Sequence, residues 1–454
     1  MDTTDHRRRR LGPGDPGYDA ARAVWNGMYD RRPAFVARCH TAADVSAALR
    51  HAADETLEVT VRGGGHGVAG TAVADGTLMI DLSPMRVVTV DPVARVAHAA
   101  GGCLVGDVDA ATVPHGLACP LGTHSRTGLG GLALGGGYGW LARRWGLTCD
   151  HIEAAEVVLS DGSIVEATED RHPDLLWALR GGGGNFGVVT RFTLRLRPAG
   201  PVHHQVAVYP LKEAASALAA YRAFAPRRPR DLRTTGSFRY AGRQDWIPAR
   251  LRGTPALFLT AAWFGDPADG PAATTPLFAT APPAGAVARV MSHAGLQALG
   301  DHGEPSGHRY FVRSSYLDAL PPGAAIRFTD AAREMPSPLS SIGFEYLRGA
   351  VTDVPDEDSA FPRRDAAYMC TVSAQWTAPE ADAENTAWAR RTADRLRPFA
   401  SRGGYVNHLQ DENEGRVLEV YGTARHRRLA AVKKAYDPGN VLRHNHNIPP
   451  AADS

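Results

Sequence analysis

Three glycine-dense loops crowd the first part of this 454-residue chain, and they limit what it can fold into more than any other feature. They run Arg62-Gly63-Gly64-Gly65-His66-Gly67-Val68-Ala69-Gly70, then Gly128 to Gly139, then Arg180-Gly181-Gly182-Gly183-Gly184-Asn185-Phe186-Gly187. Without a Cβ in the way, backbone N–H groups of such loops come close to anionic oxygens, so a dinucleotide pyrophosphate is the natural ligand. Two of the loops satisfy GxGxxG, at Gly65, Gly67, Gly70 and at Gly182, Gly184, Gly187. A Rossmann site needs a helix that begins inside the loop and holds the pyrophosphate on its N-terminus. Here Gly70 is followed by the Asp75-Gly76 turn, and Gly187 by the strand-like Val188-Val189-Thr190-Arg191-Phe192. Loop amides alone must therefore hold the phosphates.

Around these loops the pattern alternates between helix and strand. Tyr18 to about Ala53 reads as helical, broken at Pro33 and restarted at Thr41, an N-cap followed by Asp44 and an apolar series. Val59 to Val61, Leu78 to Leu82, Val87 to Val90 and Arg95 to Ala99 read as strands. Ala155 to Leu159 and Ile164 to Ala167 read as a hairpin around Asp161-Gly162. Arg197 to Pro201 marks a boundary, and residues 202 to 430 mix strands with helices, interrupted by Pro- and Ala-rich loops near 266 to 285. The expected fold class is α+β, in two lobes.

Composition excludes other classes. A formal charge of +2 from 50 basic and 48 acidic side chains gives no global field for nucleic acid or an anionic membrane. The run Arg7 to Arg10 has no apolar stretch behind it, so residues 1–17 read as a solvated, disordered tail and not a signal peptide. The uncharged run Thr127 to Ala142 is too short for a membrane span of about 20 residues. Five cysteines without a CxxC pair argue against disulfides and structural zinc, so the expected compartment is the cytoplasm. No metal site is expected: Asn445, His446 and Asn447 lack a carboxylate or thiolate to complete one. No GxSxG elbow is present for a serine hydrolase.

The motifs Val61 to Gly67, Gly135-Gly136-Gly137-Tyr138-Gly139-Trp140-Leu141 with Gly146 to Asp150, and Trp177 to Gly187 resemble those of the berberine bridge enzyme-like flavin oxidases. Tyr436 to Arg443 and Asn445 to Pro450 are similar to that family's last motif. The resemblance runs from about Tyr18 to Pro450. It implies a two-subdomain FAD-binding module of the vanillyl-alcohol-oxidase (PCMH) type over 18–200. It also implies a substrate domain with an antiparallel sheet and flanking helices over 201–430, and a C-terminal segment, 431–454, that returns to the flavin.

Carried over residue by residue, the resemblance implies that FAD is held by Arg62, Gly63, Gly64, Gly65, Gly67, Gly122, Thr123, Thr127, Gly128, Gly131, Gly136, Gly137, Tyr138, Gly139, Gly187, Val188, Asn445 and Asn447. His66 stands where the family attaches the 8α carbon of the flavin, a task suited to imidazole as a neutral nucleophile near pH 7. Many members add a second link from a cysteine eleven residues before the GGGYG run; here that position is His124, so one covalent bond is expected. His124 then lines the flavin or the substrate pocket, or is a hydrogen-bonded loop histidine. Three residues on, the family sets a side chain that admits or blocks oxygen, and the small Thr127 favours an oxidase using O2.

Tyr405-Val406-Asn407-His408, read as a strand, resembles the family's Tyr-x-Asn-Tyr motif, whose first tyrosine faces the substrate. Tyr405 is the expected proton acceptor. His408 either alters that base or points elsewhere. Thr371 stands where some relatives hold a carboxylate base. The implied activity is hydride transfer from a small cyclic or aromatic metabolite to covalent FAD, with H2O2 release, by a monomer or homodimer. The rival reading is a flavin-containing resistance protein that sequesters or oxidises a reduced quinone-like compound.

Overall fold

The computed structural model describes residues 10–401, 403–410 and 414–452. The first lobe holds two sheets. In one, Phe35–Arg38, Leu78–Asp81 and Val59–Arg62 lie parallel, and Arg10–Leu11 adds an antiparallel edge. Strands buried on both faces read as continuous apolar runs, and Leu78–Asp81 is buried at every position. The helix Ala42–Asp54 covers this sheet. Its capping box is complete, with the Thr41 side chain accepting from the Asp44 amide and the Asp44 carboxylate accepting from the Thr41 amide.

The other sheet is antiparallel, in the order Val88–Asp91, Val96–Ala100, Val188–Arg195, Ile152–Val158, Ile164–Ala167. Helical expectation between Tyr18 and Pro33 fails beyond Tyr18–Arg22, and Phe35–Arg38 is strand. Four residues do not separate the two periods, and pairing with Leu78–Asp81 decides the matter. Of the expected tail, residues 1–9 lie outside the described residues, while Arg10 and Leu11 are built into the sheet.

The second lobe is a seven-stranded antiparallel sheet in the order Gly285–Met291, Val202–Pro210, Pro255–Trp263, Leu232–Tyr240, Ser341–Tyr346, Tyr368–Trp376, Arg309–Leu317. One face carries Phe238, Ile342, Phe344, Val372 and Phe311 into a core with the helices Ala214–Phe224, Pro322–Arg333 and Asp382–Leu396. By the period of two, the opposite face presents Ser341, Gly343, Thr371 and Ser373, and it turns toward the first lobe. The stretch 266 to 285, expected as loop, contains the helix Gly270–Ala279, with Pro271 in its first turn where no N–H is needed. Among the described residues no helix is long and apolar enough to cross a membrane, and no cluster of His, Cys, Asp or Glu stands ready for a metal.

Candidate active site

Between the lobes lies a cavity of about 530 Å³ whose walls bring the three glycine loops together. Gly63 to Gly67 form one side, Gly122 to Gly131 another and Gly182 to Val188 a third. The first two loops touch directly: a Cβ at Gly64 would stand 2.5 Å from the Gly128 Cα, so only glycine permits this approach. From the second lobe come Ser341, Gly343, Thr371 and Ser373, and from the C-terminal part Tyr405 to Leu409, Leu442 and His444 to His446. None of the Ser341, Thr371 and Ser373 hydroxyls meets a protein partner among the described residues.

Of the expected site residues, His66, Gly63, Gly64, Gly65, Gly67, Gly122, Thr123, His124, Thr127, Gly128, Gly131, Tyr138, Gly187, Val188, Tyr405, His408 and Asn445 line this one cavity. Arg62, Gly136, Gly137, Gly139 and Asn447 stand behind its wall. Arg62 pairs with buried Asp81 at 3.2 Å. Gly136 and Gly139 lie against Phe361 and the Leu121 carbonyl, where no Cβ fits. Gly137 has φ +86° and packs on Thr148, so only glycine serves there.

His66 stacks on Trp25 at 4.4 Å, and Trp25 stacks in turn on Tyr310 at 3.6 Å. Burial, helped by the neighbouring His124, lowers the His66 pKa to about 4, so the ring is neutral at physiological pH. Tyr405 is not on a strand: it precedes the single 3-10 turn Val406–His408. The turn forms because the tyrosine is tied down elsewhere. Its oxygen accepts from the Gly137 amide at 3.0 Å and from Asn407 Nδ2 at 2.9 Å. Burial raises its pKa to about 12 even though both donors favour the phenolate. His408 lies edge-on to Tyr405 at 4.9 Å, and burial lowers its pKa to about 4.

Trp25 and Glu304 escape any reading of local motif, since contacts across the fold bring them here: Trp25 Nε1 donates to the Glu304 carbonyl at 2.9 Å. Asn185 and His446, within recognised motifs, also line the wall.

The walls suit a flavin dinucleotide. At Gly67, Gly131 and Gly184 nothing lies within 4 Å of where a Cβ would stand, so backbone meets open cavity at all three loops. Asn445 Oδ1 and His408 Nδ1 are buried without a protein partner, as polar groups that complete a ligand site would be.

Comparison with known proteins agrees. Residues 33–168 match the family described as "FAD binding domain", and residues 404–449 the family described as "Berberine and berberine like". The fold and site define an FAD-dependent oxidase of the PCMH type. The chain belongs to the berberine bridge enzyme-like FAD-linked oxidoreductases. It is 30% identical to (R)-6-hydroxynicotine oxidase of Paenarthrobacter nicotinovorans, over 96% of each chain. The crystal structure of 6-hydroxy-D-nicotine oxidase from Arthrobacter nicotinovorans superposes with a TM-score of 0.85 at 27% identity, covering 97% of this chain and 98% of that one. Glucooligosaccharide oxidase from Acremonium strictum shares the fold, with a TM-score of 0.85 at 24% identity over 98% and 97% of the chains, and that protein carries a 6-S-cysteinyl, 8α-N1-histidyl FAD. The oxidase acts on a small molecule; the sequestering alternative is not favoured.

Proposed function

We propose that this oxidase holds FAD through one covalent bond, from His66, and takes a hydride from a small cyclic or aromatic metabolite, with O2 as the final acceptor. The observation that carries this reading is the single cavity in which His66, Thr127, Tyr405 and His408 meet. His66 is neutral, stacked and surrounded by glycines, as a nucleophile toward a flat ring must be. His124 occupies the place from which a second, cysteinyl link would come, and all five cysteines are buried and outside any disulfide. Thiols outside any disulfide also fit a cytoplasmic enzyme. The FAD module extends over 18–200, the substrate domain over 201–430, and 431–454 closes the flavin site. The protein works as a monomer or homodimer.

When bound, FAD supplies the two-electron acceptor. The chain's own groups manage the proton. Tyr405 remains a phenol at neutral pH, so it takes the substrate proton only as it gives up its own, and neutral His408, edge-on to it, is the group available to receive that proton. The wall of Ser341, Thr371 and Ser373 carries hydroxyls and no charge, which suits a substrate with polar substituents. Thr127, a small side chain on the wall, leaves oxygen a way in.

Metabolites screened for H2O2 release test the proposal, with anaerobic addition of each hit. A substrate bleaches the flavin; a ligand that only shifts its spectrum in every case overturns the hydride-transfer reading.

A further inference from the structure

His124 is held from several sides by a segment of the other lobe. Its Nε2 lies 3.3 Å from Glu304 Oε2. The next residue, Ser125, uses its amide at 2.9 Å and its hydroxyl to bond the Asp301 carboxylate. Gly300 lies so close that a Cβ there would stand 2.5 Å from His124 Cε1. The same segment is tied to the attachment histidine, because the Glu304 carbonyl accepts from Trp25, whose ring stacks on His66. The His66 and His124 rings are 6.2 Å apart between centroids and 29° from parallel. His66, His124 and Glu304 all line the cavity.

We infer that His124, oriented by Glu304, is the base that takes the proton His66 sheds as it bonds to the flavin. This rests on the single His66 link proposed above. The carboxylate 3.3 Å from Nε2 favours the tautomer that carries its proton there, which leaves the lone pair on the other nitrogen, the form that receives a proton. In the step, a bond forms between an imidazole nitrogen of His66 and the 8α carbon. One methyl C–H and the imidazole N–H break. The electron pair and two protons pass to the flavin ring, the imidazole proton by way of His124. Molecular oxygen, the acceptor of the oxidase, then takes up both electrons and both protons and leaves as H2O2. Glu304 acts through His124 and is a positioning residue. The arrangement gives His124 a purpose in a chain that has no cysteine at this position.

The test follows covalent attachment, not turnover. Full-length wild type, His124→Gln, His124→Ala and Glu304→Gln are purified from riboflavin-limited cells and given FAD in air. Colour retained by acid-precipitated protein is read against time, and non-covalent FAD affinity is read by quenching of flavin fluorescence. His124→Gln is expected to slow attachment by about 10²-fold, the lower range for loss of a general base, with FAD affinity within threefold of wild type. Added imidazole should restore attachment in His124→Ala, and Glu304→Gln should slow it by about tenfold, a smaller loss than that of the base itself. Attachment within threefold of wild type in both His124 variants overturns the inference. If those two variants fail to bind FAD, Glu304→Gln decides: a rate within twofold of wild type overturns it. A wild type that loses all colour on precipitation overturns the covalent link itself, a separate result.

Discussion

The Gly137 amide donates to the Tyr405 hydroxyl oxygen at 3.0 Å, which joins the glycine loop of the first lobe to the C-terminal motif. Asn407 donates to the same oxygen at 2.9 Å and to the Leu132 carbonyl at 3.3 Å. With both acceptor positions filled, the hydroxyl can serve the proposed proton transfer only through its own O–H, as a relay that gives that proton up as it takes one. Tyr405→Phe should therefore slow flavin reduction by about 10² to 10⁴, the usual worth of general acid–base assistance. Leaving two donors unpaired should also cost about 1–3 kcal/mol of stability each. Stopped-flow reduction under anaerobic conditions checks this. A rate within about threefold of wild type, well under 1.4 kcal/mol of barrier, would pass the role to His408.

For the covalent link, acid-precipitated wild type should stay yellow and His66→Ala should come down colourless. Peptide mapping should find one flavin peptide, containing His66. A flavin bond to any of the five cysteines would refute the single link.

The proposed use of oxygen is tested at Thr127. Replacing it by Leu should slow reoxidation by about tenfold, roughly 1.4 kcal/mol in barrier, and leave anaerobic reduction nearly unchanged. Equal loss in both half-reactions would mean that the side chain acts on substrate binding.

A pH-dependent stability is expected from Asp109. This carboxyl is 2% exposed on the helix Val105–Thr112, and burial raises its pKa to about 7. Its neighbour across the lobe interface, His293, lies 3.7 Å away, and burial lowers that pKa to about 4. A carboxyl whose folded pKa is raised stabilises the fold relative to its ionised form at low pH, and that advantage is lost as pH rises from about 4 through about 7. Asp109→Asn should thus gain stability over wild type at pH 8, by a few kcal/mol at about 1.4 per pKa unit, and little or nothing at pH 4. Thermal melts at the two pH values decide; a constant difference would contradict the assignment.

What the sequence discloses and what it hides follow from the range of the forces involved. Thr41 with Asp44, and the hairpin around Asp161-Gly162, are legible because the bonds that make them lie within a few residues. Phe35–Arg38 is hidden because its partner is Leu78–Asp81, far along the chain. Gly270–Ala279 is hidden because Pro271 and Pro276 read as loop, although the first sits in the opening turn and the second survives in a helix packed on Val202–Pro210. In the site, the glycine loops and His66 are legible by type and spacing. The Tyr405 motif is legible in identity, but its turn is set by a bond to Gly137. Trp25 and Glu304 leave no local signal at all.

Buried Lys433 Nζ bonds the Asn185 carbonyl at 2.8 Å, Asp437 Oδ2 at 2.6 Å and the Leu442 carbonyl at 3.1 Å, so the segment that supplies Asn445 and His446 is anchored on the third glycine loop. Ribosomal synthesis runs from the N-terminus, and this anchor emerges only after every strand of the seven-stranded sheet has been made. The nascent chain therefore carries an open cradle while the seven-stranded sheet is being made, and the cradle is closed by a segment made after that sheet.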